Sequence, residues 1–293
     1  QAIPAATAGN TKPEVSLYDH SRTTAALAAA LWRFHHDRGD DPAATAQALR
    51  QRADWDEEKF LLVQGDFSGI QDFIFATGGE TQRRAAKLLR GRSFHVSLLT
   101  ECAALRVLEA LGLPPTSQII NAAGKFLIVA PNTPTSVDAL AGVQRELDAW
   151  FLEHGFGQSG IGLASLAASC DDFRHGADGD SPFKNLMQRL FERQEEAKLR
   201  RFDLCGAASP GAVFGGFLGA FERDKGVCVV DGRSPAVEAL SDTDHHVSRL
   251  AADQIAIGGW LASQERLLIT REPLGHHTLR LPLFGYCANF TAG

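Results

Sequence analysis

The sequence predicts an α+β chain built around a ferredoxin-like β-α-β-β-α-β unit, with a helical segment before it and a small mixed α/β unit after it. Three observations carry that prediction. Between residues 59 and 168, short apolar runs alternate with long amphipathic stretches in the order strand, helix, strand, strand, helix, strand. Ahead of them stands an Ala- and Leu-rich run, HSRTTAALAAALWRFHHDR, stopped by Gly39. Behind them, the polar stretch DDFRHGADGDS at 171–181 separates the central unit from a charged helical run and short strands. The implied boundaries are a leading segment at 1–58, the central unit at 59–170 and a third unit at 180–293.

Element by element, the first dozen residues are small and polar and read as a tail. A helix follows to about Arg38, and a second, short one lies within 40–58. FLLVQGDF at 60–67 is an apolar strand, after which Ser68 caps a short helix ending near Phe75. A long helix runs from about Thr81 to Leu111 and is stopped by Gly112 and the Pro114-Pro115 pair. SQIINA and KFLIVAP form a hairpin that turns at Ala123-Gly124. Helix 134–154 and strand 158–166 complete the central unit. Beyond it come helix 183–201, a turn-rich stretch with Cys205 and Cys228, a helix at 236–256, and strands near 266–270 and 278–284.

Composition sets limits on function. A hydrophobic share of 44% and a charged share of 22% are ordinary for a globular chain of 293 residues. The net charge of -6 requires any RNA or phosphate contact to come from a local basic patch. No apolar run approaches the roughly 20 residues that span a bilayer, so no membrane role is expected. Five cysteines at irregular spacing, with no secretory leader, fit reduced thiols in the cytoplasm. Starting at Gln1 and stopping at Gly293, the chain reads as a fragment of a longer polypeptide.

Four local patterns carry chemistry, each with a plainer alternative. In GDFSGIQ (65–71), a strand-end carboxylate, Asp66, precedes Ser68-Gly69 and a helix N-terminus, where backbone N–H groups favour a phosphate and the carboxylate a divalent metal. The alternative is that Asp66 and Ser68 only cap the helix. Arg83, Lys87, Arg90 and Arg92 form a basic cluster suited to RNA or nucleotide phosphates, or simply a solvated face. Lys125, after Gly124 at the hairpin tip, either meets a phosphate or is solvated, and the tip has no acid to hold a metal. Cys205 and Cys228 raise a structural zinc, as in a zinc-ribbon-derived unit, but lack paired-ligand motifs. The pairs Asp19-His20 and His35-His36 lie near opposite ends of one helix and cannot converge by themselves.

Taken together and in order, SLYDHSRTTAALAAAL (16–31), GDFSGIQDFIF (65–75), AAKLLRGRSFHVSLLTE (85–101), NAAGKFLIVAP (121–131) and CVVDGRSPA (228–236) resemble the large subunit of type III CRISPR-Cas effector complexes, most of all the Csm (III-A) kind. The resemblance covers nearly the whole chain. It implies an HD nuclease domain, two cyclase-like palms, a helical or zinc-bearing domain between them, and cyclic oligoadenylate synthesis from ATP with Mg or Mn on target-RNA recognition. It also implies single-stranded DNA cleavage at the HD site. Implied partners are the guide 5′-end-binding subunit, the small subunit, crRNA and target RNA.

On that resemblance, 15–38 corresponds to the end of the HD domain, 59–168 to the first palm and 180–293 to the intervening domain. Gly65, Asp66, Ser68, Gly69, Gln71, Gly124 and Lys125 would line one wall of the nucleotide site. The Gly-Gly-Asp-Asp hairpin of the second palm is absent from the sequence, so the chain alone is expected to be catalytically silent. The alternatives are a scaffold palm that binds no nucleotide and a stand-alone RNA-binding or cyclase-like ferredoxin module.

Overall fold

The computed structural model describes residues 3–5, 15–79, 81–174, 181–203, 218–221, 225–240, 243–281 and 284–293. Cys205, most of the tail and much of the 171–181 linker lie outside them. The chain divides into two compact units: 1–66, 104–143 and 163–199 form the first, and 67–103, 144–162 and 200–293 the second.

In the first unit, α1 (Leu17–Arg38) begins at Ser16, whose hydroxyl accepts the Asp19 N–H, and ends at Gly39 in the left-handed conformation. The tail is not wholly free of structure, because Ala5 and Val15 share a backbone bond and Pro4 bridges Ser16. α2 (Pro42–Gln51) is capped by Asp41, with Pro42 at its first position. The sheet has the order β2-β3-β1-β4, with β1 at Phe60–Ser68, β2 at Gln118–Ala122, β3 at Lys125–Pro131 and β4 at Gly160–Ala168. β1 and β3 run antiparallel from Phe60↔Pro131 to Asp66↔Lys125. The β2–β3 hairpin turns where expected, with Ala123 and Gly124 both at positive φ.

α1 and α6 (Pro182–Leu199) supply Ala26, Ala30, Leu186 and Leu190 to a core with Phe60, Leu62, Leu127 and Val129 from one face of the sheet. Full burial of such side chains stabilises by about 1.5–3 kcal/mol each before the entropy of ordering is charged. The alternate residues Leu61, Val63, Ile128 and Ala130 are buried too. Both faces are therefore covered, as the unbroken apolar run FLLV requires.

The second unit contains α3 (Ile70–Phe75), most of α4 (Ala85–Leu111) and the second half of α5 (Pro134–Gly155). α4 starts four residues later than expected, because 82–84 form a 3₁₀ turn. The helix expected at 236–256 is replaced by a two-residue strand pair, β5 (Glu238–Ala239) and β6 (His246–Val247), and by α7 (Arg249–Trp260). The polar TDHH run at 243–246 is not helical, and Ser248 starts α7 by accepting the Ala251 N–H. A three-stranded antiparallel sheet, β7-β9-β8, holds β7 (Arg266–Thr270), β8 (Thr278–Leu281) and β9 (Tyr286–Thr291). β9 was not expected from the sequence. It is fixed by Asn289, 1% exposed, which accepts from Leu274 N and Thr278 Oγ1 and donates to Thr270 Oγ1.

Where α4 meets α7 the helices touch backbone to backbone. A Cβ on Gly91 would stand 2.0 Å from the Gln254 carbonyl oxygen, and one on Gly258 would stand 2.1 Å from that of Lys87. Glycine at both positions is what permits the approach.

Candidate nucleotide and phosphate sites

Asp66 lies in the first unit at the end of β1, with its side chain only 3% exposed. Its Oδ2 faces Lys125 Nζ at 3.1 Å, directly across the β1–β3 register, and Lys198 Nζ at 2.8 Å, from the last turn of α6. Lys198 also reaches Glu195 at 2.7 Å. Burial works against the Lys198 charge, but the Asp66 and Glu195 carboxylates outweigh it and hold the ammonium above the ordinary lysine range. Asp66 thus pairs with Lys125, its cross-strand neighbour on β3, and with Lys198; the sequence placed Lys125 at the hairpin tip but pointed to neither pair. The only signal for Lys198 was a cation in the last turn of a charged amphipathic helix.

Gly65 has a packing reason to lack a side chain. It sits opposite Phe126, whose ring would be 2.2 Å from a Cβ there. Gly124 serves the hairpin turn.

Ser68, Gly69 and Gln71 belong to the second unit. Ser68 Oγ donates to the Gly160 carbonyl at 3.1 Å and accepts from Arg201 Nη1 at 3.2 Å, so it does not cap α3 with its side chain. Gly69 occupies the N-cap at φ 78° and lies flush against the Gln158 carbonyl, 2.6 Å from where a Cβ would be. Gln71 is exposed on α3 and lines a cavity of about 440 Å³ with Asp72, Phe75, Asp231 and Arg233.

The basic cluster does not form one exposed stripe. Arg92 is 2% exposed, and its guanidinium donates to Gln254 Oε1, Ile74 O, Ala76 O and Val230 O at 2.7–3.4 Å. Burial lowers its pKa, against the pull of Asp231. Arg90 donates through Nε and Nη2 to the Gly258 carbonyl. Arg83 is exposed and Lys87 half-buried. A guanidinium is placed inside only when fixed acceptors meet it, and those acceptors come from segments distant in sequence.

Cys228 is fully buried in a tight turn, with its N–H bonded to Ser234 O and its thiol pKa raised by burial. Asp231 Oδ1 accepts from Arg233 N and Ser234 N, and Gly232 has φ 72°. A raised thiol pKa opposes the thiolate that zinc requires. Among the described residues, no group of three or more His, Cys, Asp or Glu is placed to hold a metal ion. Nor does any described helix have the length and apolarity to cross a membrane. In α1, His35 Nδ1 pairs with Asp40 at 2.7 Å and His20 is exposed, so the histidine pairs do not meet.

A family model described as Csm1 subunit domain B matches residues 59–209. The chain is 34% identical over 189 residues to the CRISPR system single-strand-specific deoxyribonuclease Cas10/Csm1 (subtype III-A) of Thermococcus onnurineus, covering 64% of this chain and 23% of that protein. The namesake in Mycobacterium tuberculosis is 28% identical over 208 residues, covering 68% and 25%. A solved Csm1-Csm4 cassette in complex with cA4 matches with a TM-score of 0.53 at 32% identity, over 65% of this chain and 24% of that one. A cassette in complex with one ATP matches with a TM-score of 0.53 at 31% identity, over 64% and 24%. A Csm1-Csm4 subcomplex of the type III-A interference complex covers 95% of this chain and 31% of its own, with a TM-score of 0.64; at 23% identity it shows the shared fold. The chain spans about a quarter of the length of the curated relatives it matches. With a family model on more than half of its residues, the chain belongs to the Csm1 family of type III-A CRISPR systems.

Proposed function

We propose that this chain forms one wall of an ATP site in a type III-A effector large subunit, which makes cyclic oligoadenylate on target-RNA recognition. The observation that carries this reading is the buried Asp66 at the strand end, holding Lys125 and Lys198 within 3.1 Å of one carboxylate oxygen. Two ammoniums, one at the hairpin tip and one at the end of α6, suit a nucleotide's phosphates. In support, solved Csm1-Csm4 relatives are complexes with ATP, AMPPNP and cA4. On this proposal the strand order β2-β3-β1-β4 is that of a ferredoxin-like palm at 59–170. Residues 1–58 then close an HD-type domain and 180–293 form the intervening, zinc-ribbon-derived domain.

Gly65, Gly124 and Lys125 flank Asp66, while Ser68, Gly69 and Gln71 shape the start of α3. Arg83 and Lys87 remain as candidates for RNA or phosphate contact. The described residues do not form a divalent-metal set, since Asp66 is the single acid there besides Glu195 and both are engaged by lysine. Single-stranded DNA cleavage belongs to the parent's HD domain, and the docking partners are the neighbouring Csm subunits, the guide 5′-end-binding one and the small one included.

The test is a reconstituted complex carrying Asp66→Asn or Lys125→Gln. Loss of a charged pair costs about tenfold or more in oligoadenylate output. Unchanged output favours the second reading, a scaffold that binds no nucleotide, for which the internal engagement of Arg90 and Arg92 speaks. The isolated chain with ATP and Mg or Mn yields no oligoadenylate on either reading.

A further inference from the structure

We infer that β7 is the edge through which two copies of this chain pair, antiparallel and about a two-fold axis at Leu268. The surface lies wholly within the second unit and does not depend on the nucleotide reading.

Which backbone groups β7 leaves open follows from its neighbour. In an antiparallel sheet the residues of a central strand bond alternately to one side and to the other. β9 is the central strand of β7-β9-β8, and its Phe290 N–H donates to His277 O at 2.9 Å, on the β8 side. Thr291, Asn289 and Cys287 therefore face β7, and the Glu265 N–H accordingly donates to Thr291 O at 3.0 Å. Their partners across the register are Arg266, Leu268 and Thr270. Leu267 and Ile269 are left with N–H and C=O turned away from the sheet, and among the described residues no group bonds to them.

An open edge of this kind is ordinarily blunted by a lysine, a proline, a bulge or an inward charge. β8, the opposite edge, carries Arg280 within its short TLRL run. β7 has no such guard between its ends. Its register with β9 is unbroken from Arg266↔Thr291 to Thr270↔Cys287. Leu267 and Leu268, on opposite faces of the strand, are 38% and 45% exposed. Charges stand only at the ends: Glu265 and Arg266 at one, Arg271 at the other, all three exposed.

That charge pattern selects the occupant. A strand added antiparallel must set its own open residues against Leu267 and Ile269. A second copy does so over the whole of β7 when the axis passes through Leu268. Leu267 of one copy then lies opposite Ile269 of the other, Arg266 opposite Thr270, and Leu268 opposite Leu268. Glu265 meets Arg271 at both ends, although Arg271 also donates to Gly285 O. Slipping the register by one residue sets Arg266 against Arg271 and brings open groups against closed ones. Parallel pairing in register sets Arg266 against Arg266. The antiparallel dimer joins two three-stranded sheets into one and covers both leucines. Its contact is narrow, so it is reversible.

Sedimentation velocity over a concentration series should show a monomer–dimer equilibrium of the chain. Leu267→Pro removes one outward N–H and leaves the bonds to β9 in place, and should raise the concentration needed for dimer roughly tenfold or more. Leu268→Lys sets two ammoniums face to face on the axis and should do the same; urea unfolding checks that each variant monomer is intact, and should Leu267→Pro not fold, Leu268→Lys decides. Leu268→Cys reads the register. Opposed Cα atoms of a non-bonded antiparallel pair stand about 4.5 Å apart, inside the roughly 4.4–6.8 Å span of a disulfide, so copper-phenanthroline should cross-link this variant. It should do so faster than Leu199→Cys, a position 89% exposed but off the strand. A dimer indifferent to both Leu267→Pro and Leu268→Lys, or a Leu268→Cys cross-link no faster than that of Leu199→Cys, overturns the inference. A monomer at every concentration also overturns it and leaves β7 to a strand of another protein.

Discussion

Replacing His95 should remove an acid sensitivity built into α4. The imidazole is 1% exposed, packs edge-on to Phe73 at 6.0 Å between ring centroids, and has no hydrogen-bond partner on either nitrogen. Burial lowers its pKa from 6.5 to about 4. The folded chain therefore holds His95 neutral at a pH where the unfolded chain already binds a proton. Stability is lost as pH falls from 6.5 toward 4. That gap, about 2.5 pH units at about 1.4 kcal/mol each, is worth roughly 3.5 kcal/mol in full. His95→Phe keeps a ring against Phe73 and removes the titration. Urea unfolding of both proteins at pH 7.5, 6 and 5 gives the stability difference at each pH, in which every other titrating group cancels. Whatever its value at pH 7.5, the difference should move by about 2 kcal/mol in favour of the variant at pH 5. A difference that stays flat across that range would refute a neutral, unpartnered His95.

The helix crossing, the buried guanidinium and a buried acid each give a further expected outcome. Gly91→Ala drives a Cβ more than 1 Å inside the usual carbon–oxygen contact of about 3.3 Å and should cost about 3 kcal/mol by urea unfolding, while Gly79→Ala, with open space around it, should stay within about 0.5 kcal/mol. Arg92→Met strands four acceptors and should cost about 3–5 kcal/mol, and Arg92→Lys should not restore it, because an ammonium cannot span four acceptors laid out for a planar fork. Burial raises the Asp253 pKa to about 6, with Arg249 opposing, so the wild type should lose about 1.4 kcal/mol as pH rises from 5 to 8 relative to Asp253→Asn. The sign is opposite to that of His95, because here the folded state is the one that holds the proton.

Much of the fold was legible because local signals and tertiary structure agree. α1 is announced by its Ala and Leu content and by Ser16 and Gly39 at its ends, and the β2–β3 hairpin by two apolar runs around Ala123-Gly124. What failed was non-local. Residues 236–256 carry enough Ala, Leu and Val to resemble one helix, but Leu240 and Val247 are placed by the β5–β6 pair and its turn. Lys198 finds Asp66 across 132 positions of sequence, a distance no periodicity bridges. Arg92 was grouped with Arg83, Lys87 and Arg90 because a charge cluster on a helix is normally solvated. The acceptors that make its burial tolerable lie on α3, at Val230 and on α7.

The blocks that make the family resemblance specific therefore do two different things. In LRGRSF, Gly91 admits α7 and the two arginines bond inward, Arg90 to Gly258 and Arg92 to Ile74, Ala76, Val230 and Gln254. In CVVDGRSPA, Asp231 organises its own turn while Arg233 returns to the Asp72 carbonyl. A residue whose hydrogen bonds are already complete inside the fold has little to offer a ligand without unfolding cost. On α3 the side chains that folding leaves exposed are Gln71, Asp72 and Phe75. Because these side chains lie outside the packed core, Phe75→Ala and Asp72→Asn should stay within about 0.5 kcal/mol of the wild type by urea unfolding, whereas Arg92→Met, at the residue that bonds the Ile74 and Ala76 carbonyls, should not.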